Sequence, residues 1–290
     1  MKATFAIFIL ALAGASAQIG LLKTALRLKW GLPLVDSEYF IDIPREELMI
    51  ISEGWRLVQR PSSFPMPALK MYCMRDDYSV CTLYDPDTGF VAGLQISLPV
   101  QKFTETPIAL DTIGFSKWTA PDNVEYWANM QFFISPETYK KSPSERMALA
   151  RADEATLKEG GVWVPDLEGQ LMKIEGTEQG IQNSIFTKQA CIVSMGDHYY
   201  YDMKPSIDCS RLFPWFGLIN AGNLEATGFM VFGKLPAVAS GKRTWFEHPA
   251  RAAVQAIVPS APQCLYELAD NPGVYTLHIY YGKHPYTITC

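Results

Sequence analysis

The sequence predicts a β-rich α+β protein with antiparallel sheets built from hairpins, one well-capped helix and disulfide-tied loops. Several segments alternate apolar and polar side chains with a period of two, as half-buried strands do. Glycine-bearing turns separate pairs of these segments. Six cysteines follow a segment with the features of an export signal, and an even cysteine count in an exported chain indicates disulfides.

The chain opens with the order of features found in a cleavable signal peptide. Lys2 supplies the positive charge, residues 4–12 form the apolar run, and Ala15-Ser16-Ala17 is a small-residue cleavage site. The run is shorter than the about 20 residues that span a bilayer. We therefore predict that residues 1–17 are a signal peptide and that the protein is secreted and extracellular. No later uninterrupted apolar 18-residue run occurs, so no transmembrane segment is predicted.

Residues 18–290 form the predicted mature, β-rich region, and its first segment carries a helical pattern. Leu22 and Leu26 share one helical face, and Lys23 and Arg27 share another. Residues 18–35 are thus predicted to be either an amphipathic surface helix, of the kind that can lie on a membrane surface, or a removable pro-segment.

The clearest strand pattern covers residues 126–134. One face carries Tyr126, Ala128, Met130, Phe132 and Ile134, and the other carries Trp127, Asn129 and Gln131. An apolar face with a polar reverse face predicts a half-buried strand.

Two hairpins are predicted in the second half of the chain. The first joins residues 215–220 to residues 224–232 through a loop that contains Gly222. The second joins residues 274–281 to residues 286–290 through a loop that contains His284, with Cys290 anchoring its last strand.

The helix is predicted from its ends. Ser142-Pro143-Ser144-Glu145 has the pattern of a capping box with proline at the first helical position, and Gly160-Gly161 would end the helix after Leu157. The same stretch, residues 142–161, is the possible boundary if the region forms two domains instead of one.

The cysteines are predicted to pair with their nearest neighbours, although six cysteines allow 15 connectivities. The expected pairs are Cys73–Cys81, Cys191–Cys209 and Cys264–Cys290.

Composition and motifs exclude several function classes. The formal net charge of −5 argues against nucleic acid, whose phosphates need a basic surface. No nucleophile elbow, phosphate loop, dinucleotide fingerprint or zinc-protease motif occurs after the signal, which favours a non-enzymatic role, and no cofactor is predicted. The acidic segment at residues 85–89 is interpreted as a turn between strands.

The densest group of polar and aromatic residues begins at Asp197. We predict that a Cys191–Cys209 bridge orders this segment as a surface loop and that it contacts a ligand or partner. Its contact candidates are Asp197, His198, Tyr199, Tyr201 and Asp202. Asp197, His198 and Asp202 are also metal-ligand types. Trp215, Trp245 and His248 are further contact candidates, because aromatic side chains make good contact surfaces.

Three functional hypotheses follow. The first is an extracellular fluid or matrix component that binds a protein or glycan partner. The second is a carrier of a small apolar ligand, which requires an apolar cavity. The third is a metal-assisted hydrolase that uses His198 and His248, which requires those side chains to converge beside a cleft.

Overall fold

The computed structural model describes residues 25–31, 40–152, 157, 159–240, 242–282 and 285–290. The predicted signal peptide at residues 1–17 and His284 lie outside the described residues. Within the described residues the chain forms two antiparallel sheets, a few short helices and three disulfides. The β-rich prediction with antiparallel sheets is therefore confirmed.

Fifteen strands are present in the described residues. In chain order they are β1 (Ala25–Leu28), β2 (Ile41–Pro44), β3 (Arg56–Val58), β4 (Lys70–Met74), β5 (Asp77–Tyr84), β6 (Val91–Pro99), β7 (Ser116–Thr119), β8 (Glu125–Phe132), β9 (Gly161–Pro165), β10 (Leu171–Glu175), β11 (Phe186–Ile192), β12 (Gly196–Tyr201), β13 (Trp215–Asn220), β14 (Asn223–Phe232) and β15 (Val274–Tyr280).

The helices are short. In chain order they are α1 (Glu47–Ser52), α2 (Pro136–Tyr139), α3 (Pro143–Ala152), α4 (Glu178–Gln182), α5 (Arg251–Ile257) and α6 (Gln263–Leu268). Single 3₁₀ turns occupy Leu110–Thr112, Cys209–Arg211 and Pro285–Thr287, and a π turn occupies Ala269–Gly273.

The strands are divided between two sheets. Sheet A has the order β11-β12-β13-β14-β15-β1-β2, and sheet B has the order β10-β9-β8-β6-β5-β4-β3 with β7 also paired to β8. The inner faces of the two sheets share the larger hydrophobic core. A smaller core lies on the outer face of sheet B and includes Met71, Leu83, Met130 and Phe132.

Strand β8 differs from its prediction in the burial of its polar face. The side chains of Asn129 and Gln131 are fully buried, because this face packs against sheet A instead of meeting solvent. Asn129 Oδ1 accepts a hydrogen bond from Trp215 Nε1 at 2.9 Å, and Gln131 Nε2 donates to Thr227 Oγ1 at 2.6 Å. Buried polar groups need such partners, and here the partners come from the opposite sheet.

The first predicted hairpin is confirmed, and the second is wrong. Strands β13 and β14 pair around residues 221–222, with Asn223 as the first residue of β14. The segment after β15 does not form a strand in its described residues 285–290, because β15 is already paired on both sides, to β14 and β1.

The predicted amphipathic helix at residues 18–35 is replaced by strand β1 where the chain is described. Leu26 and Leu28 are fully buried and Arg27 lies between them, on the opposite face. This alternation has the period of a strand, and β1 pairs with both β15 and β2.

The region of the predicted helix contains α3, which ends at Ala152; residues 153–156 and 158 lie outside the described residues. Glu145 accepts hydrogen bonds from the backbone N–H and the hydroxyl of Ser142. Strands β8 and β9, on either side of the possible boundary at residues 142–161, pair at Phe132 and Trp163 within sheet B. The acidic turn at residues 85–89 lies nearby, and Arg146 donates to both Asp85 and Asp87.

Two of the three predicted disulfide pairings are wrong. Cys73–Cys81 forms as expected, but the other bridges are Cys191–Cys290 and Cys209–Cys264. Nearest-neighbour pairing closes the shortest loops, and short loops cost the least entropy to close. That cost grows by only about 0.6 kcal/mol for each doubling of loop length, so the packing of distant segments decides the pairing.

Candidate ligand-binding cavity

A cavity of about 810 Å³ lies between the outer face of sheet A and the helices α5 and α6. Its volume is within the range of about 300–1,000 Å³ that is usual for small-molecule sites. The sheet side is lined by His198, Tyr200, Phe216, Met230, Phe232 and His278, and the helix side by Ala253, Val254, Ile257, Val258 and Leu265.

Strand alternation explains the composition of the cavity floor. His198 and Tyr200 on β12, and Thr276 and His278 on β15, point to the cavity side because residues two apart share a face. The intervening residues pack towards sheet B. Gly228 on β14 lies opposite Phe216 on β13, and a Cβ at this glycine would overlap the Phe216 ring. The absence of a side chain thus lets the ring lie flat on the sheet.

The helix side is held in place by specific links. The Cys209–Cys264 disulfide joins α6 to the turn at Cys209–Arg211. The hydroxyl of Tyr266 donates to the carbonyl of Val258 at 2.7 Å, which connects α6 to the end of α5. Helices of this length are not stable alone, so these links position the cavity wall.

A largely buried carboxylate, Glu247, organises the polar part of the lining, with its side chain 13% exposed. It accepts hydrogen bonds from the backbone N–H of Trp30 at 2.6 Å, the Thr276 hydroxyl at 2.7 Å, and the Nδ1 and backbone N–H of His278 at 2.6 and 3.3 Å. Burial raises the pKa of Glu247, but His278 and these hydrogen bonds together hold that pKa below its usual value. Glu247 is therefore ionised.

His198 is a neutral imidazole of one defined tautomer. Its Nδ1 lies 3.2 Å from the carbonyl oxygen of Ala190 and 3.1 Å from that of Gly196. Because carbonyl oxygens only accept, Nδ1 carries the proton. Complete burial, and secondarily His278, lowers the pKa of His198 to about 3. Nε2 is therefore a hydrogen-bond acceptor.

Three polar atoms on cavity-lining residues are buried and have no hydrogen-bond partner in the described structure. They are His198 Nε2, His278 Nε2 and Trp30 Nε1. An unpaired buried polar atom costs about 1–3 kcal/mol. The rings of His198 and His278 are 6.4 Å apart between centroids and meet edge-on, so the two imidazoles are neighbours in the cavity lining.

The predicted site residues are divided between two faces. His198 and His248 both line the cavity, with His248 at its exposed edge. Asp197 and Tyr199 lie on the opposite face of β12, where Asp197 pairs with Lys188 at 2.8 Å and the Tyr199 hydroxyl donates to Glu178 at 3.2 Å.

The predicted surface loop after Gly196 is instead strand β12, and its Cys191–Cys209 bridge does not form. Tyr201 packs against Phe186 and Phe213. Asp202 follows the strand and pairs with Lys204 at 2.9 Å. The metal-ligand candidates Asp197, His198 and Asp202 therefore have separate surroundings. Across the described ranges, no three His, Cys, Asp or Glu side chains form a group that could hold a metal ion.

The two tryptophan candidates are buried away from the cavity lining. Trp215 packs between the sheets. Trp245 donates from Nε1 to Asp77 at 2.8 Å and contacts the ring of Trp55.

Sequence reasoning missed Glu247, His278 and Trp30. His278 had a usable signal in the sequence. It shares one face of β15 with Thr276, whereas Leu277 and Ile279 lie on the other face. Glu247 is adjacent to His248, but nothing local in the sequence links it to a residue 31 positions later.

Comparisons with protein-family models, with curated proteins and with solved structures find no match. Among the described helices, none has the length and apolar character needed to cross a membrane.

Proposed function

We propose that this protein is a secreted carrier that binds a small, largely apolar molecule in the cavity between sheet A and helices α5 and α6. The observation that carries the proposal is the cavity itself, with its volume of about 810 Å³ and its predominantly apolar lining. Apolar cavities with a few convergent polar groups are the usual form of small-molecule sites.

The compartment part of the proposal rests on the predicted signal peptide and on the cysteines. Three disulfides are compatible with an exported protein. One of them, Cys209–Cys264, also holds the cavity wall in place, because Cys264 lies on α6. A rigid, preformed cavity loses less conformational entropy when a ligand binds.

The carrier hypothesis accounts for more of the geometry than the other two. The tryptophans that motivated a partner surface are buried, 0% exposed at Trp215 and 2% at Trp245. The hydrolase hypothesis placed His198 and His248 beside a cleft, and both line the cavity. The described residues supply no three-ligand metal set around them, so we assign these histidines to the lining that contacts the ligand.

The test fills the cavity and measures the binding of the neutral dye phenylnaphthylamine by fluorescence. We expect the wild-type protein to bind the dye, and Val254→Trp to weaken binding at least about tenfold by occupying the cavity. Ala252→Trp is the matched control, because Ala252 is exposed on the same helix and is not a cavity-lining residue. Its dye affinity should equal that of the wild type.

Circular dichroism checks that each variant is folded. If Val254→Trp does not fold, Ala253→Trp replaces it, since Ala253 lines the cavity but is exposed. Absence of dye binding by the wild type, or unchanged binding in the folded cavity variant, would refute the proposal.

A further inference from the structure

We infer that Lys242-Arg243 is a proteolytic processing site, at which a protease specific for paired basic residues cuts the bond between Arg243 and Thr244. The cut converts the protein into two chains that stay joined by two disulfides. The inference rests on the loop between β14 and α5 and on the positions of the cysteines, so it does not depend on the proposed ligand.

The charge pattern of the chain singles out this loop. Two pairs of adjacent basic residues occur in the sequence, Lys140-Lys141 and Lys242-Arg243. Proteases that recognise basic residues hold the cationic side chain before the cut bond in an acidic pocket. Lys242 is exposed and Arg243 is partly exposed, so a protease can reach both cations from solvent.

The backbone that leads to this pair is an exposed loop with few hydrogen bonds. Residues 236–240 and 242–244 lie outside every helix and strand, and residues 236–240 are exposed throughout. Counting bonds between described residues, their single backbone–backbone hydrogen bond runs from the N–H of Lys242 to the carbonyl of Ala239 and closes a turn. Such loops are preferred sites of cleavage, because the chain can extend into a protease cleft while the rest of the protein stays folded.

Two contacts hold the side chains of the pair on the protein. Lys242 Nζ donates to the carbonyl of Asp76 at 2.7 Å, and the Arg243 guanidinium lies over the Trp245 ring, 5.5 Å from its centroid. The Lys242 bond is solvent-exposed, and single contacts of a surface cation are weak. The carboxylates of a protease pocket can therefore replace both contacts.

The other pair has exposed side chains but a hydrogen-bonded backbone. The N–H of Lys140 donates to the carbonyl of Glu137, and that of Lys141 donates to the carbonyl of Thr138. The carbonyl of Lys141 also accepts from the guanidinium of Arg146, whose side chain is only 7% exposed. Extending this segment would break these bonds, so cleavage there requires local unfolding.

The cysteines are placed so that a cut after Arg243 does not separate the two chains. Cys191 and Cys209 precede the cut, and their partners, Cys290 and Cys264, follow it. Strand β15 belongs to the second chain and is paired on one side with β14 and on the other with β1. The cut protein should therefore keep its fold.

The cut also adds a charge beside the cavity. Hydrolysis adds one water across the bond, which leaves a carboxylate on Arg243 and an ammonium group on Thr244. Thr244 is a cavity-lining residue. The two-chain form thus differs from the single chain by a positive charge at the cavity wall.

The test digests the folded protein with a purified kexin-type protease, which cuts after Lys-Arg pairs, and identifies the products by mass spectrometry. We expect one cut, after Arg243. Without reductant the mass should rise by that of one water molecule, and with reductant the fragment 244–290 should separate. Arg243→Gln should abolish the cut.

Lys141→Arg is the matched control, because it makes the other pair a Lys-Arg pair with exposed side chains on a hydrogen-bonded backbone. Cleavage after residue 141 should be at least about tenfold slower than cleavage after Arg243, since it requires local opening. Three results would each overturn the inference. They are equal cleavage rates at the two pairs, resistance of the folded wild type when its reduced and denatured chain is cut, and release of the fragment 244–290 without reductant.

Discussion

At the scale of single residues, His198 shows how burial determines the chemistry of a side chain. The ring is completely buried, and it stacks near Phe216 and Tyr200 with centroid distances of 5.8 and 6.2 Å. Burial disfavours the charged form and lowers its pKa to about 3. The same burial makes the ring costly to protonate during any acid exposure of the protein.

This pKa predicts an acid-dependent loss of stability. Between its ordinary pKa of 6.5 and about 3, His198 binds a proton in the unfolded chain but not in the folded protein. Protonation then favours unfolding. The free energy of unfolding therefore decreases as the pH is lowered through this window, by up to about 1.4 kcal/mol per pH unit.

The variant His198→Gln lacks this titrating group. Its comparison with the wild type therefore separates the effect of His198 from that of the other groups that titrate in acid. We expect the difference in unfolding free energy between wild type and variant to shrink from about pH 7 to about pH 4. Urea denaturation followed by circular dichroism measures it. A difference that stays constant with pH would show that His198 is not held neutral.

At the scale of elements, the cavity is covered by two short helices whose positions depend on their links. α5 and α6 have no side-chain N-cap hydrogen bonds. α6 is attached through Cys264 to Cys209, across a sequence separation of 55. Cys73–Cys81 instead joins directly paired residues of β4 and β5 in the other sheet.

The two bridges therefore predict different effects of removal. Cys209→Ala with Cys264→Ala should lower the free energy of unfolding by about 4 kcal/mol and weaken dye binding, because α6 loses its attachment. Cys73→Ala with Cys81→Ala should cost about 2.5 kcal/mol, since its loop is shorter, and leave dye binding unchanged. Equal dye affinities in the two folded double variants would contradict this role of the Cys209–Cys264 bridge.

At the scale of the whole molecule, a buried polar network joins the two sheets. Gln131 on β8 donates to Thr227 on β14, and the Tyr281 hydroxyl bonds both Thr227 at 2.5 Å and Gln131 at 3.1 Å. All three side chains are fully or almost fully buried. The network thus satisfies its own polar groups and aligns sheet B with sheet A.

Replacing one member of this network should lower the free energy of unfolding more than replacing all three. Gln131→Leu leaves the hydroxyls of Thr227 and Tyr281 bonded only to each other, so one of the two hydroxyl hydrogens loses its acceptor. We expect this variant to cost about 1–3 kcal/mol. The triple variant Gln131→Leu, Thr227→Val, Tyr281→Phe should recover most of this loss, because matched apolar replacements leave no unpaired group. The stability of both variants is measured from their urea unfolding midpoints, compared at an unchanged dependence of the unfolding free energy on urea concentration. A triple variant less stable than Gln131→Leu would contradict the account.

Local sequence pattern determined the β-rich class, strand β8 and the hairpin of β13 and β14, because the period of two and the turn at Gly222 act over neighbouring residues. Alternation also separates His198 from Asp197 and Tyr199 on β12, and the order of residues 197–201 already contains this division.

Tertiary structure decided everything that depends on which surfaces meet. The polar face of β8 is buried because sheet A covers it, and Cys191 bonds Cys290 because packing brings residues 99 positions apart together. Glu247 and His278 form their pair for the same reason. Contacts between distant segments depend on the packing of whole faces, whereas loop length adds only a slowly growing entropy cost, so local pattern carries little information about them.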